Sequence, residues 1–136
     1  MRTYTEMLEF DTFVDRFNYL KLDGVVGSET FGSTRFVNQD FYRSPEWKRV
    51  RAKVIVRDLG RDLAIENREV FGRILVHHIE PITERMVYRN SPLLLSPDNL
   101  VCCSPNTHRA IHFGDENLLE KSPIVVERRP GDTKLW

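Results

Sequence analysis

The sequence predicts a mixed α+β fold, in which a β-hairpin with a long connecting loop packs on a helix and additional helices precede the hairpin. Two aliphatic runs, RILVHHI at 73–79 and LVCCS at 100–104, have the composition of strands. The pair Ser104-Pro105 then indicates a helix start, because Ser caps free backbone N–H groups and Pro suits the first helical position. At 136 residues, the chain has the usual length of one domain.

The order of the predicted elements divides this single domain (1–136) into four segments. They are an N-terminal helical extension (1–43), a basic helix with its connecting loop (44–72), a hairpin-and-helix motif (73–114) and a C-terminal tail (115–136).

Two helices are predicted before the motif. Apolar residues at helical spacing indicate a first helix over residues 5–21. The glycine-rich segment 23–34 is typical of a loop. Ser44-Pro45 indicates a second helix, which we expect to end near Asp58 with Trp47 facing the core.

Within the motif, the two predicted strands are joined by a loop at 80–99 that contains three prolines. We expect the following helix to stop at Gly114, because glycine readily takes the left-handed conformation at a helix end. From residue 122 onward we expect extended chain, with a turn at Pro130-Gly131.

Composition argues against a membrane protein and against a uniformly basic nucleic-acid binder. The 20 basic and 20 acidic residues cancel, but residues 41–91 carry 11 basic and 7 acidic groups, so positive charge gathers around the motif. No apolar run approaches the about 20 residues of a membrane span, and the first residues lack a signal-peptide stretch. A disulfide between the adjacent Cys102 and Cys103 would be strained. We expect a soluble cytoplasmic protein with reduced cysteines.

All four histidines lie between positions 77 and 112. His108 and His112 are four residues apart, which places both rings on one helix face and can offer two nitrogens to one metal ion. Neighbouring strand residues point to opposite faces, so one of His77 and His78 could join them and the other could serve as a general base. Each pair alone has a simpler explanation. His77 and His78 could be core or edge-strand residues whose ring nitrogens are hydrogen-bonded, and His108 and His112 could be ordinary surface residues.

Taken in order, His77-His78, Asn99, His108 and His112 resemble the HNH motif of the ββα-metal, or His-Me finger, endonucleases. The resemblance is carried by VHHIEPI and SPDNLVCCSPNTHRAIHFG within residues 73–114. The helix begun at Ser44-Pro45 resembles the helix that often precedes the motif. The whole chain also resembles small HNH proteins encoded by bacteriophages.

The resemblance implies a ββα-metal core and an endonuclease that hydrolyses phosphodiester bonds in DNA with one divalent ion, which could be Mg, Mn, Zn, Ni or Co. It makes His77 and His108 metal ligands, and His112 a third ligand or a contact to the scissile phosphate. It makes His78 the general base, and Asn99 the residue that holds this base through backbone hydrogen bonds. Phage packaging proteins are possible partners, and the host cytoplasm is the location if a phage encodes the chain.

The sequence departs from the commoner family pattern at four positions. Many relatives carry two Cys-x-x-Cys pairs that bind a structural zinc, and these align with Asp62, Ile65, Ser104 and Thr107. We therefore expect no structural zinc here and a core held by packing.

Four basic residues are candidates for contact with DNA phosphates: Arg49, Lys53 and Arg57 at a spacing of four, and Arg109 between the helical histidines. A solvated helix face is the alternative. Two rival functions stay open at this point: a non-catalytic DNA-binding or phage assembly protein with a structural zinc site, and a nuclease that acts on RNA. The oligomeric state is open as well.

Overall fold

A computed structural model describes residues 1–22 and 35–119, with only the backbone described for residues 35–38. The helices of these residues are α1 (Tyr4–Met7), α2 (Phe13–Leu20), α3 (Arg35–Arg43), α4 (Pro45–Asp58), α5 (Glu84–Tyr88) and α6 (Pro105–Phe113). The strands are β1 (Leu75–His78) and β2 (Leu100–Cys103). Single 3₁₀ turns lie at Asp62–Ala64, Pro92–Leu94, Pro97–Asn99 and Glu116–Leu118. Among the described helices, none has the length and apolar character needed to cross a membrane.

The predicted mixed α+β architecture is confirmed: β1 and β2 form an antiparallel hairpin that packs against helices. The register pairs His77 with Val101 and His78 with Leu100. All four residues of β2 are fully buried, so both faces of this strand are covered by other elements.

The hairpin lies between two apolar clusters, because successive residues of β2 point to opposite faces. Val101 and Cys103 pack into one cluster with residues of α1, α2 and α6, including Met7, Phe17 and Ile111. On the other face, Leu100, Cys102, Trp47 and Val54 form the second cluster, which joins β2 to α4. This layering fixes β1 between α4 and α6, where its two histidines can reach different neighbours.

Both predicted Ser-Pro helix starts are confirmed. The Ser44 hydroxyl accepts the Trp47 backbone N–H at 3.2 Å, and α4 ends at Asp58 as expected. The Ser104 hydroxyl accepts the Thr107 backbone N–H at 3.1 Å. Gly114 ends α6 in the left-handed conformation at φ 64°.

Two predictions of local structure are wrong. The single helix expected at 5–21 is split into α1 and α2, because the Thr12 side chain caps a new helix start by accepting the Asp15 backbone N–H at 3.1 Å. The segment 80–99 is not a plain loop, since Thr83 caps α5 and two 3₁₀ turns follow it. The predicted loop at 23–34 and the extended tail from residue 122 lie outside the described residues.

Three of the four positions that were compared with the zinc-binding cysteine pattern, Asp62, Ser104 and Thr107, are joined by hydrogen bonds. The buried Asp62 carboxylate accepts the Thr107 hydroxyl at 2.7 Å and the Ser104 backbone N–H at 3.3 Å. These bonds join the turn after α4 to the start of α6. The core expected to depend on packing is thus also held here by a buried polar cluster.

Candidate metal centre and its cavity

Three histidines from two elements meet at one point. His77 projects from β1, and His108 and His112 project from α6 one turn apart. One ring nitrogen from each residue lies within 4.8 Å of the other two, so the group could hold a metal ion. The ring centroids of His77 are 5.4 Å from His108 and 5.2 Å from His112. The strand-plus-helix arrangement expected from the sequence therefore brings these three side chains together.

His77 fits a metal ligand because its ring is buried without hydrogen bonds. Its side chain is 1% exposed, and neither Nδ1 nor Nε2 has a hydrogen-bond partner. Unpaired buried polar atoms are costly and rare, so a partner absent from the protein itself is indicated. A metal ion would satisfy one of the two nitrogens.

The donor set also indicates the class of ion and the kind of site. Three imidazole nitrogens suit Zn, Ni or Co better than Mg or Mn. No fourth His, Cys, Asp or Glu joins the group within 1–22 and 35–119. Three protein ligands leave a coordination position open, which is typical of catalytic rather than structural zinc sites.

The three rings are held in the neutral form that metal binding requires. Burial lowers the pKa of His77 well below its usual value, and the neighbouring histidines add to this effect. Burial, with the charges of nearby residues, lowers the pKa of His108 to about 3. Burial alone lowers the pKa of His112 to about 4.

His78 has a different environment from the other three. Its Nε2–H donates to the Leu94 backbone carbonyl at 3.0 Å, since a carbonyl oxygen can only accept. This bond fixes the proton on Nε2 and leaves a lone pair on Nδ1, for which no described residue provides a hydrogen bond. Burial lowers the pKa of His78 to about 4, while the bond to Leu94 acts in the opposite direction.

Asn99 makes the cross-loop backbone contacts expected of it. Its Oδ1 accepts the Glu80 backbone N–H at 2.8 Å, and its Nδ2 donates to the Leu93 carbonyl at 3.1 Å. Asn99 thus connects the end of β1 to Leu93. The next residue, Leu94, provides the carbonyl that accepts the hydrogen bond from His78. The side chain is 2% exposed, and it acts on the site through the backbone.

All four histidines line one cavity of about 350 Å³. Its remaining wall is formed by aromatic, basic and apolar residues, among them Tyr42, Trp47, Arg51 and Arg73. The prediction that Trp47 is a core residue is confirmed, because it is 5% exposed. It also borders the cavity, where it meets His78.

The predicted basic residues fall into two groups. Arg49, Lys53 and Arg109 are exposed on α4 and α6, and none of them lines the cavity. Arg57 instead donates to Asp58 at 2.8 Å and to the Leu100 carbonyl at 2.7 Å, and its guanidinium lies 3.4 Å from the centre of the Tyr4 ring. We therefore assign Arg57 to the fold rather than to a nucleic-acid surface.

Three cavity residues were missed by the sequence prediction. Arg51 donates to the Ile74 carbonyl at 2.8 Å, and Arg73 is exposed at the entry to β1. Tyr42 comes from the last turn of α3. Arg51 had a usable signal, because it lies four residues after Trp47 and so shares its helix face. Tyr42 and Arg73 carry no comparable pattern.

Comparison with protein-family models, curated proteins and solved structures finds no match for this chain. The relation to HNH endonucleases therefore rests on the motif residues and stays a prediction.

Proposed function

We propose that this protein is a metal-dependent endonuclease that hydrolyses phosphodiester bonds in DNA. One observation carries the proposal: the group formed by His77, His108 and His112 shares a cavity with His78, whose Nδ1 lone pair is left available by the bond to Leu94. A ligand group with an open position beside an unligated imidazole is what metal-assisted hydrolysis requires.

An ion held by the three histidines would act as a Lewis acid that stabilises negative charge developing on the phosphate. The remaining chemistry belongs to His78. Its Nδ1 accepts a proton from water while the water oxygen forms a bond to phosphorus. The bond from phosphorus to the leaving oxygen breaks, and this oxygen leaves with the bonding electrons and then takes a proton from solvent. The Leu94 carbonyl, already bonded to Nε2–H, stabilises the positive imidazolium that results.

The pKa of His78 in the free protein, about 4, is low for a general base at neutral pH. A bound phosphodiester is negatively charged, and a nearby opposite charge favours the protonated form of an imidazole. The ion by itself would favour neutral His78, and the phosphodiester offsets part of the ion's charge, so substrate binding should raise the proton affinity of His78 above its value in the metal-loaded protein without substrate.

The rival function is a non-catalytic DNA-binding or assembly protein in which zinc only joins the hairpin to α6. A structural zinc site is closed by four protein ligands. The described residues supply three, which favours the catalytic alternative. The biological setting proposed here, DNA processing in a bacteriophage with packaging proteins as partners, follows from the family resemblance alone.

The experiment is cleavage of supercoiled plasmid with Mg, Mn, Zn, Ni or Co, each supplied separately. We expect wild type to nick or linearise the plasmid with at least one ion. We expect His78→Ala to lose about 10²- to 10⁴-fold in rate, the usual contribution of a general base, while it still binds the ion. Arg85→Ala, on the exposed surface of α5, is the control. Wild-type cleavage by His78→Ala would refute the assignment, and inactivity with all five ions would refute the proposal.

A further inference from the structure

The lining of the cavity contains an aromatic residue that is partly exposed. Tyr42 is 39% exposed, although its ring is 5.2 Å from that of Trp47 and 6.2 Å from that of His78. Trp47 itself is 5% exposed and is already stacked on His78. Tyr42 is therefore the aromatic residue of this lining that has surface left for a ligand.

Two arginines border the same cavity. Arg51 is half-buried, and its Nη2–H donates to the Ile74 carbonyl at 2.8 Å, which fixes the guanidinium beside β1. Arg73 is exposed two residues before β1 begins. Guanidinium groups are well suited to phosphate oxygens. The cavity thus combines an aromatic surface, positive charge and the histidine group in one lining.

The size of the cavity limits what can enter it. At about 350 Å³ it lies near the lower end of the about 300–1,000 Å³ found for small-molecule pockets. It can hold part of one strand but not a double helix. In a duplex both faces of each base are covered by stacked neighbours, so Tyr42 could stack only on a base that is unpaired or flipped out.

We propose that this cavity accepts one unpaired nucleotide of single-stranded DNA, with its base against Tyr42 and an adjacent phosphate at Arg73 and Arg51. The inference rests on the proposed function, because hydrolysis at the histidines is what requires a strand to enter. It names the substrate class: single-stranded DNA, or a gap, flap or end at which a base is unpaired.

The test is DNA binding by the full chain in chelator, so that no strand is cut. Fluorescence anisotropy would compare a labelled single strand with a blunt duplex of the same sequence. We expect wild type to bind the single strand more tightly. Tyr42→Ala should weaken single-strand binding by about 5- to 150-fold, the usual effect of removing a stacking side chain, and should leave duplex binding unchanged. Tyr42→Trp should retain the preference.

Tyr88 provides the matched control, because it is 72% exposed on α5 and does not line the cavity. Tyr88→Ala should bind the single strand as wild type does. A second variant, Arg73→Ala, changes an exposed side chain and should fold normally. It should make the negative slope of log affinity against log salt shallower by about 0.7, as loss of one phosphate contact does for single strands. Arg85→Ala should not change this slope.

Equal wild-type affinity for both DNA forms, or equal effects of the Tyr42 and Tyr88 substitutions, would overturn the inference. These outcomes are separate from those of the plasmid experiment. If Tyr42→Ala binds and cleaves DNA as wild type does, the nucleotide site is refuted but the proposed nuclease function is not. Tyr42-dependent binding with no cleavage by any ion would refute the nuclease and keep a single-strand binding site.

Discussion

Trp47 stacks on His78, with ring centroids 5.2 Å apart and ring planes within 22° of parallel. The contact joins the first turn of α4 to the end of β1. The Trp47 ring packs on one face of the imidazole, and the hydrogen bond to Leu94 fixes its Nε2. The helix before the motif therefore helps to position the proposed general base, although it supplies no residue to the metal group.

Trp47→Ala should impair both stability and cleavage. Removing a buried Trp typically costs about 3–5 kcal/mol of unfolding free energy, and a misplaced catalytic group can cost about 10²-fold in rate. Trp47→Phe keeps a flat ring and should retain most of both. Urea unfolding and plasmid cleavage at matched folded concentration would measure the effects. Full cleavage by folded Trp47→Ala would show that the stacked ring does not position His78.

Asn99→Ala should reduce cleavage while leaving metal binding intact. The substitution leaves the partly buried Glu80 N–H and Leu93 carbonyl without their side-chain partner, which costs up to about 1–3 kcal/mol for each group. The loop that presents the Leu94 carbonyl to His78 is then less well held. Calorimetric titration with zinc would follow metal binding beside the cleavage assay. An Asn99→Ala variant that loses the ion but is otherwise folded would contradict this separation of roles.

The metal-free protein should lose stability as the pH falls from 6.5 to 5. Burial lowers the pKa of His77, and brings that of His108 to about 3 and that of His112 to about 4. An unfolded histidine has a pKa of about 6.5, so below this pH the unfolded chain binds more protons and is favoured. The loss should be roughly 1 to 2 kcal/mol per buried histidine over this range.

Urea unfolding in chelator at pH 7, 6 and 5 would measure this dependence. His77→Asn removes one titrating group and should give a shallower dependence on pH. A saturating metal ion should raise stability at pH 7, by about 2.7 kcal/mol at 100 times its dissociation constant. A free energy of unfolding that stays level from pH 7 to 5 would contradict the buried, neutral state of the rings.

Local sequence patterns predicted the helices and strands that bear the site residues, because helix caps and residue spacing depend only on residues that are near one another in the sequence. Ser44-Pro45 and Ser104-Pro105 begin helices at the positions where they occur, and the spacing of His108 and His112 places both rings on one face. The same reasoning failed at 5–21, where an apolar repeat continues across the helix cap formed by Thr12.

Tertiary contacts decided the rest. The sequence predicted that the charged helix face with Arg57 is exposed to solvent or contacts DNA. In the structure, Arg57 donates a hydrogen bond to the backbone carbonyl of Leu100, 43 positions away. Tyr42 and Arg73 reach the cavity only because α3, α4 and β1 approach one another. No periodicity in the sequence indicates that approach, so the places of Tyr42 and Arg73 in the cavity wall could not be predicted.

The most direct test of the central claim is X-ray absorption spectroscopy of the zinc- or cobalt-loaded protein, combined with titration of the ion. We expect one ion per chain with three imidazole nitrogens, the same three in His78→Ala, and much weaker binding in His77→Ala and His108→Ala. Loss of an imidazole ligand in His78→Ala would contradict the account, as would wild-type affinity in His77→Ala.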